Sequence, residues 1–152
     1  MPATPRPELG TQPSIVYLVE PDPQVRARLR ALLRTPSIQV RECSSAEAFL
    51  QALTSERPAC VIVDTKLPGM DGLALQCRLR DLAPDLPVIV TSRDGDVPTA
   101  VAAMREGALG FFEKPFVDRA IVARVHEGFA RQRRPDALST PLDDDPPRSP
   151  ER

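Results

Sequence analysis

Residues 60–72 read CVIVDTKLPGMDG. The first four, Cys60 to Val63, are continuously apolar, the pattern of a strand covered on both faces of a parallel sheet. The run stops at a carboxylate, Asp64. Pro68 and Gly69 then set a turn, and Asp71 stands where a helix N-terminus would use it. Beyond the turn Leu75, Leu79 and Leu82 recur on one helical face. The stretch is therefore a buried strand, an acidic residue at its carboxyl end and a helix, which is the repeating unit of an α/β domain.

The same unit recurs on both sides. Ile15 to Val19 and Val88 to Val90 are also continuously apolar, whereas Ile38-Gln39-Val40 alternates, as an edge strand would, and Gly110-Phe111-Phe112 is a short fifth candidate. Each is followed by a helical pattern. Val25, Leu29, Leu32 and Leu33 share one face, as do Ala46, Phe49, Leu50 and Leu53, and Ile121, Val122, Val125 and Phe129. Another helix runs from about Val97 to Glu106 and stops at Gly107. This is a (βα)5 pattern, an α/β fold with a doubly wound parallel sheet, and strand order 2-1-3-4-5 makes it flavodoxin-like.

One folded domain over residues 15–132 accounts for the periodic part of the 152-residue chain. Nine of the 18 prolines lie before Ile15 or after Arg134, where apolar periodicity is missing, so 1–14 and 133–152 read as flexible tails, Pro-rich and Pro/Asp-rich. The second carries Asp143, Asp144 and Asp145 beyond the basic cluster Arg131, Arg133 and Arg134, a solvated tail or a partner-binding element. A net charge of -1 and a pI near 5.9 offer no field for a polyanion, so no direct nucleic-acid partner is expected. No segment has the apolar length of a membrane span or a secretory leader, and a cytoplasmic protein without a membrane partner is expected. Cys43, Cys60 and Cys77 lack metal or redox spacing and read as buried free thiols, and His126 as an exposed surface residue.

In open α/β sheets the ligand crevice lies beyond the carboxyl ends of the strands, where the winding reverses. Glu20, Asp64, Thr91 and Lys114 follow strands one, three, four and five, which are neighbours in order 2-1-3-4-5. Two carboxylates, a hydroxyl and an ammonium suit phosphoryl transfer, in which a carboxylate is the nucleophile and Mg²⁺ on hard oxygen ligands neutralises the phosphoryl group.

With these residues in place, VIVDTKLPGMDG (Val61 to Gly72) and VTSRDGDVPTAVAAMREGALGFFEKPF (Val90 to Phe116) resemble the receiver domain of two-component response regulators, the FixJ-like subgroup in particular, over about Ile15 to Arg131. The resemblance implies that Asp64 is the phosphoacceptor and that Lys66 gives a main-chain carbonyl to the metal. It implies that Thr91 and Lys114 bind the phosphoryl group, that Lys114-Pro115 is cis, and that Phe111 swings inward when Thr91 moves. It further implies a histidine kinase or phosphotransfer protein as donor, a downstream protein partner met through helix 4, strand 5 and helix 5, and a possible homodimer through the same face. The chain would be no enzyme, only a phosphoacceptor that assists its own phosphotransfer and dephosphorylation. With no helix-turn-helix segment after the last helix, a stand-alone regulator is expected.

The acidic site departs from the family pattern. Where most members carry two adjacent acidic residues after strand one, this chain reads Glu20-Pro21-Asp22-Pro23. Pro21 has no side-chain oxygen, so weak Mg²⁺ binding by Glu20 and Asp64 is expected. Asp22 is either the N-cap of helix one, with Pro23 at its first position, or a substitute ligand. Lys66 and Arg93 flank the phosphate position, either as solvated loop cations or as modulators that offset a poor metal site. Pro21 also favours a second class of function, a phosphorylation-independent protein-interaction module. Enzymes of related fold fit badly. A dehalogenase-type phosphatase would want an Asp at Lys66, and a flavodoxin a phosphate loop after strand one.

Overall fold

The computed structural model describes residues 13–133. Ten elements alternate without exception: β1 (Ser14–Val19), α1 (Pro23–Leu33), β2 (Ile38–Cys43), α2 (Ala46–Ala52), β3 (Cys60–Asp64), α3 (Gly72–Leu82), β4 (Val88–Ser92), α4 (Val97–Arg105), β5 (Gly110–Glu113) and α5 (Asp118–Arg133). The strands form one sheet in order β2-β1-β3-β4-β5, every pair parallel, the flavodoxin-like arrangement expected from the patterning. Ser14 already pairs with Ile38 and α5 reaches Arg133, each one residue outside the expected 15–132. Residues 1–12 and 134–152 of the expected tails, with the Asp143–Asp145 run, lie outside the described residues.

The pleat explains the continuous apolar runs. Val61, Val63, Val88 and Val90 face one side with Phe49, Leu75, Leu79 and Ala103 from α2, α3 and α4. Cys60, Ile62 and Ile89 face the other with Leu29, Leu33, Ile121, Val125 and Phe129 from α1 and α5. Successive strand residues thus serve opposite layers, so every position of β3 and β4 is buried. Phe111 and Phe112 split between the two layers in the same way.

Four helices open on side-chain caps. Asp22, Ser45, Asp71 and Asp96 each accept from a backbone N–H of the first turn, which satisfies a donor the helix cannot. The N-terminus of α1 is reinforced by Pro23. Gly107, at φ 96°, follows α4 in the left-handed region that ends many helices. The edge strand β2 carries two charges, Arg41 and Glu42, and both are paired. Arg41 pairs with Glu56, and Glu42 with Arg26 and Arg30.

Two expectations about side chains fail. Leu82, the last residue of α3, is 57 % exposed on an open groove beside Leu50 and Leu53. Cys77 is exposed, being rotated by about 200° from Leu75 around α3, and Cys43 is half-buried, so only Cys60 is a buried thiol. Burial pushes the Cys60 pKa up to about 12. His126 is exposed and meets Phe129 edge-on. Among the described residues no helix is long and apolar enough to cross a membrane.

Candidate functional site

The register of the sheet assembles the site. Asp64 is the last residue of β3 and pairs with Thr91, while Val63 pairs with Val19, so Glu20, Asp64 and Thr91 stand side by side at the carboxyl ends of three central strands. Lys114 follows β5, its N–H donating to the Ser92 carbonyl at 2.8 Å, and its bond to Pro115 is cis. Glu20, Asp64 and Thr91 are 3 %, 4 % and 1 % exposed, so their polar atoms must find partners in the protein.

They find one another. Lys114 Nζ is 2.8 Å from both Glu20 Oε1 and Asp64 Oδ1, and the Thr91 hydroxyl donates to Asp64 Oδ1 at 3.2 Å. The Lys66 N–H donates to Asp64 Oδ2 at 3.0 Å, and the Asp22 N–H to Glu20 Oε2 at 3.1 Å. Three donors thus occupy three of the roughly four acceptor positions of the Asp64 carboxylate. Burial raises the Glu20 pKa, against the pull of Lys114 and of the Asp22 N–H. For Lys114 burial works against the charge, but Asp64 and Glu20 outweigh it and its pKa is raised, so the ammonium persists.

The flanking residues sort by exposure. Pro21, Lys66 and Arg93 are exposed. Lys66 Nζ is engaged by Asp94 Oδ2 at 2.8 Å and not by Asp64, which ties the β3–α3 loop to the β4–α4 loop across the rim. Phe111 is half-buried, its ring edge 3.2 Å from where a Cβ on Gly95 would lie.

Several contributors escape sequence reasoning. Arg26 donates to the Glu20 carbonyl at 2.6 Å, and Thr65 to Ser92 at 3.1 Å, beneath the cluster. Glu47 accepts from Met70 N–H at 3.1 Å and so fastens the β3–α3 loop to α2. Gly72 lies directly under the backbone of Asp64, so close that a Cβ would stand 2.2 Å from the Asp64 carbonyl oxygen. Thr65 and Ser92 are adjacent in sequence to Asp64 and Thr91, which was the available signal. The others depend on contacts between distant segments.

The donor set fits Mg²⁺, which prefers oxygen ligands and often binds through one or two carboxylates, with water and phosphate oxygens completing the octahedron. Glu20 and Asp64 are those carboxylates, with the Lys66 carbonyl two residues beyond Asp64. No cluster of three or more His, Cys, Asp or Glu suited to a metal exists among the described residues. Pro21 adds no side-chain oxygen, and the Asp22 carboxylate accepts from the Gln24 N–H at 2.8 Å as the cap of α1. Asp22→Ala is expected to cost about 1 kcal/mol through the lost cap, and Asp22→Ser to restore it. Urea midpoints give the stability and Mg²⁺ titration the affinity; a Ser variant with normal stability and weakened Mg²⁺ binding would make the carboxylate a ligand.

Comparison with known proteins agrees with this geometry. A family profile, the response regulator receiver domain, matches residues 16–126. Over 116 residues the chain is 40% identical to the transcriptional regulatory protein FixJ of Azorhizobium caulinodans, covering 76% of this chain and 55% of that one. Over 120 residues it is 36% identical to the response regulator protein TmoT of Ectopseudomonas mendocina, covering 79% and 54%. The chain therefore spans little more than half the length of these relatives. A crystal structure assigned to the response regulators, from Chloroflexus aurantiacus J-10-fl, superposes with a TM-score of 0.73 at 33% identity, covering 79% of this chain and 100% of that one.

Proposed function

The chain belongs to the response regulator receiver family of two-component signalling, and from that premise we propose that it accepts a phosphoryl group on Asp64 from a histidine kinase or phosphotransfer protein in the cytoplasm. The observation that carries this is the buried contact of Asp64 with Lys114 at 2.8 Å and Thr91 at 3.2 Å. The chain would be a phosphoacceptor that assists its own phosphorylation and dephosphorylation, with no separate substrate to turn over.

In the transfer a carboxylate oxygen of Asp64 attacks the donor's phosphorus. The P–O bond forms as the P–N bond to the donor imidazole breaks, and the electron pair leaves on the ring nitrogen, which takes a proton. Lys114, 2.8 Å from Asp64 Oδ1, then faces the new negative oxygens, while Thr91 has a hydroxyl to turn from Asp64 to the phosphoryl group. Mg²⁺, held by Asp64, Glu20 and the Lys66 carbonyl, would supply further neutralisation of the phosphoryl oxygens. Its binding is weak in this proposal, since Pro21 replaces an oxygen ligand. Movement of Thr91 and Phe111 then alters the surface of α4, β5 and α5, where Val97, Val101, Met104 and Val117 are exposed and suited to a downstream protein or a second copy.

The second reading, a phosphorylation-independent interaction module, is favoured by Pro21 and by the use of Asp22 as a cap. Incubation with Mg²⁺ and acetyl phosphate, read by intact mass, separates the two. An Asp64-dependent gain, absent in Asp64→Asn, is expected, and Pro21→Asp should raise Mg²⁺ affinity by about tenfold or more. No gain in either wild type or Pro21→Asp, with cognate kinase also tried, would leave the interaction module as the function.

A further inference from the structure

Among the described residues one buried side-chain nitrogen or oxygen has no partner, Oε1 of Gln76. Gln76 lies in α3 and is 2 % exposed. Its Nε2 donates to the Ala103 carbonyl of α4 at 2.8 Å, a carbonyl that also accepts from the Ala108 N–H at 3.1 Å. Turning the amide over brings no relief, because Oε1 would then face the Ala103 carbonyl, acceptor against acceptor, and the NH₂ would lose its partner. With α4 where it is, Gln76 therefore keeps a buried acceptor that no protein donor meets.

The helix it touches is also the most lightly anchored. α1 buries Leu29 and Leu33, and α3 buries Leu75 and Leu79, whereas α4 buries Ala103 alone. Its larger apolar side chains, Val97, Val101 and Met104, are exposed. Beside the α3–α4 contact lies a groove of about 350 Å³, lined by Gln76, Leu79, Leu86, Val88 and Gly107 among others, so the contact is not close-packed all round. Few buried apolar contacts and a half-paired polar group are the marks of a locally unstable unit.

We propose that Gln76 is a positioning residue that biases α4 away from the place it occupies here. The α3–α4 contact is a two-position element, and in its loosened position Oε1 accepts a hydrogen bond from water. This bias belongs to the unmodified chain and does not rest on phosphorylation of Asp64. A signal arriving at Asp64 would act on a helix already disposed to move.

The test is native-state hydrogen exchange on the full chain carrying Gln76→Met or Gln76→Leu, without phosphodonor. Both side chains are apolar and near in volume to glutamine, and the Ala103 carbonyl keeps the Ala108 N–H. The expected result is a higher thermal midpoint and exchange in α4 slowed by about tenfold relative to α1. Unchanged or faster exchange in α4, a lower midpoint, or failure to fold would overturn the proposal, since each would mean that Gln76 holds α4 in place. A beryllofluoride arm reports separately on Asp64. Its failure would count against the phosphoacceptor reading and leave the exchange result standing.

Discussion

Gly72→Ala is expected to destabilise the domain by about 3 kcal/mol or more and to abolish any reaction at Asp64 in whatever folded fraction survives. The added methyl carbon would stand 2.2 Å from the Asp64 carbonyl oxygen and 2.8 Å from the Thr65 Cα, and neither is the end of a flexible side chain. Relief requires β3 and the start of α3 to separate, which would break the Gly72 N–H bond to the Thr65 carbonyl, 3.0 Å in the native chain, and shift the nucleophile in register. Gly107→Ala is the control, because nothing lies within 4 Å of a Cβ there and only the φ of 96° is unfavourable. That variant should lose about 1–2 kcal/mol and keep its reactivity. Urea unfolding followed by circular dichroism, with acetyl phosphate labelling of the folded fraction, measures both. A Gly72→Ala chain of near-native stability would contradict the close approach.

The second large effect is at Lys114. Lys114→Met is expected to slow phosphorylation of Asp64 by about 10²–10³-fold, the usual cost of losing one preorganised cation or donor at a developing oxyanion. It should also cost about 3–5 kcal/mol at neutral pH, because Glu20 and Asp64 would share a crevice with no cation between them. The pH dependence follows from Glu20. Burial already raises its folded-state pKa, and Lys114 is a principal influence holding it down. Without Lys114 the pKa rises further, so the folded chain binds a proton more readily than the unfolded chain. Stability then falls as pH rises through the folded-state pKa and returns as pH drops toward the ordinary glutamate range. Lys114→Met should therefore be closest to wild type in stability near pH 5 and furthest from it near pH 8. A difference independent of pH would show that the ammonium does not govern Glu20.

Most of the fold is legible because burial on both faces leaves no room for polar alternation. Cys60 to Val63 and Val88 to Val90 could be little else than central strands, and Glu20, Asp64, Thr91 and Lys114 were legible as a group because the winding order brings their strand ends together. What stayed hidden depends on packing. Gly72 reads as an ordinary turn glycine, and only the path of α3 under β3 makes it irreplaceable. Gln76 lies three positions before Leu79 and so on the margin of the buried stripe, but its lack of a second partner follows from where Ala103 falls on another helix. Leu82 fits the helical period and is exposed because, as the last residue of α3, it borders an open groove. Lys66 reads as a cation beside the phosphate position, and its pairing with Asp94 could not be inferred from spacing.

The charged edge strand has a consequence for how the protein meets its neighbours. An unpaired strand is an invitation for another chain to add itself to the sheet. On β2 the side chains of Arg41 and Glu42 are held in ion pairs to Glu56, Arg26 and Arg30, so a chain docking there would have to displace fixed charges and strip them of water. The opposite edge, β5, is four residues long. Among the described residues neither border offers a long apolar template, which disfavours strand addition there and leaves the helical faces as the surfaces open to association.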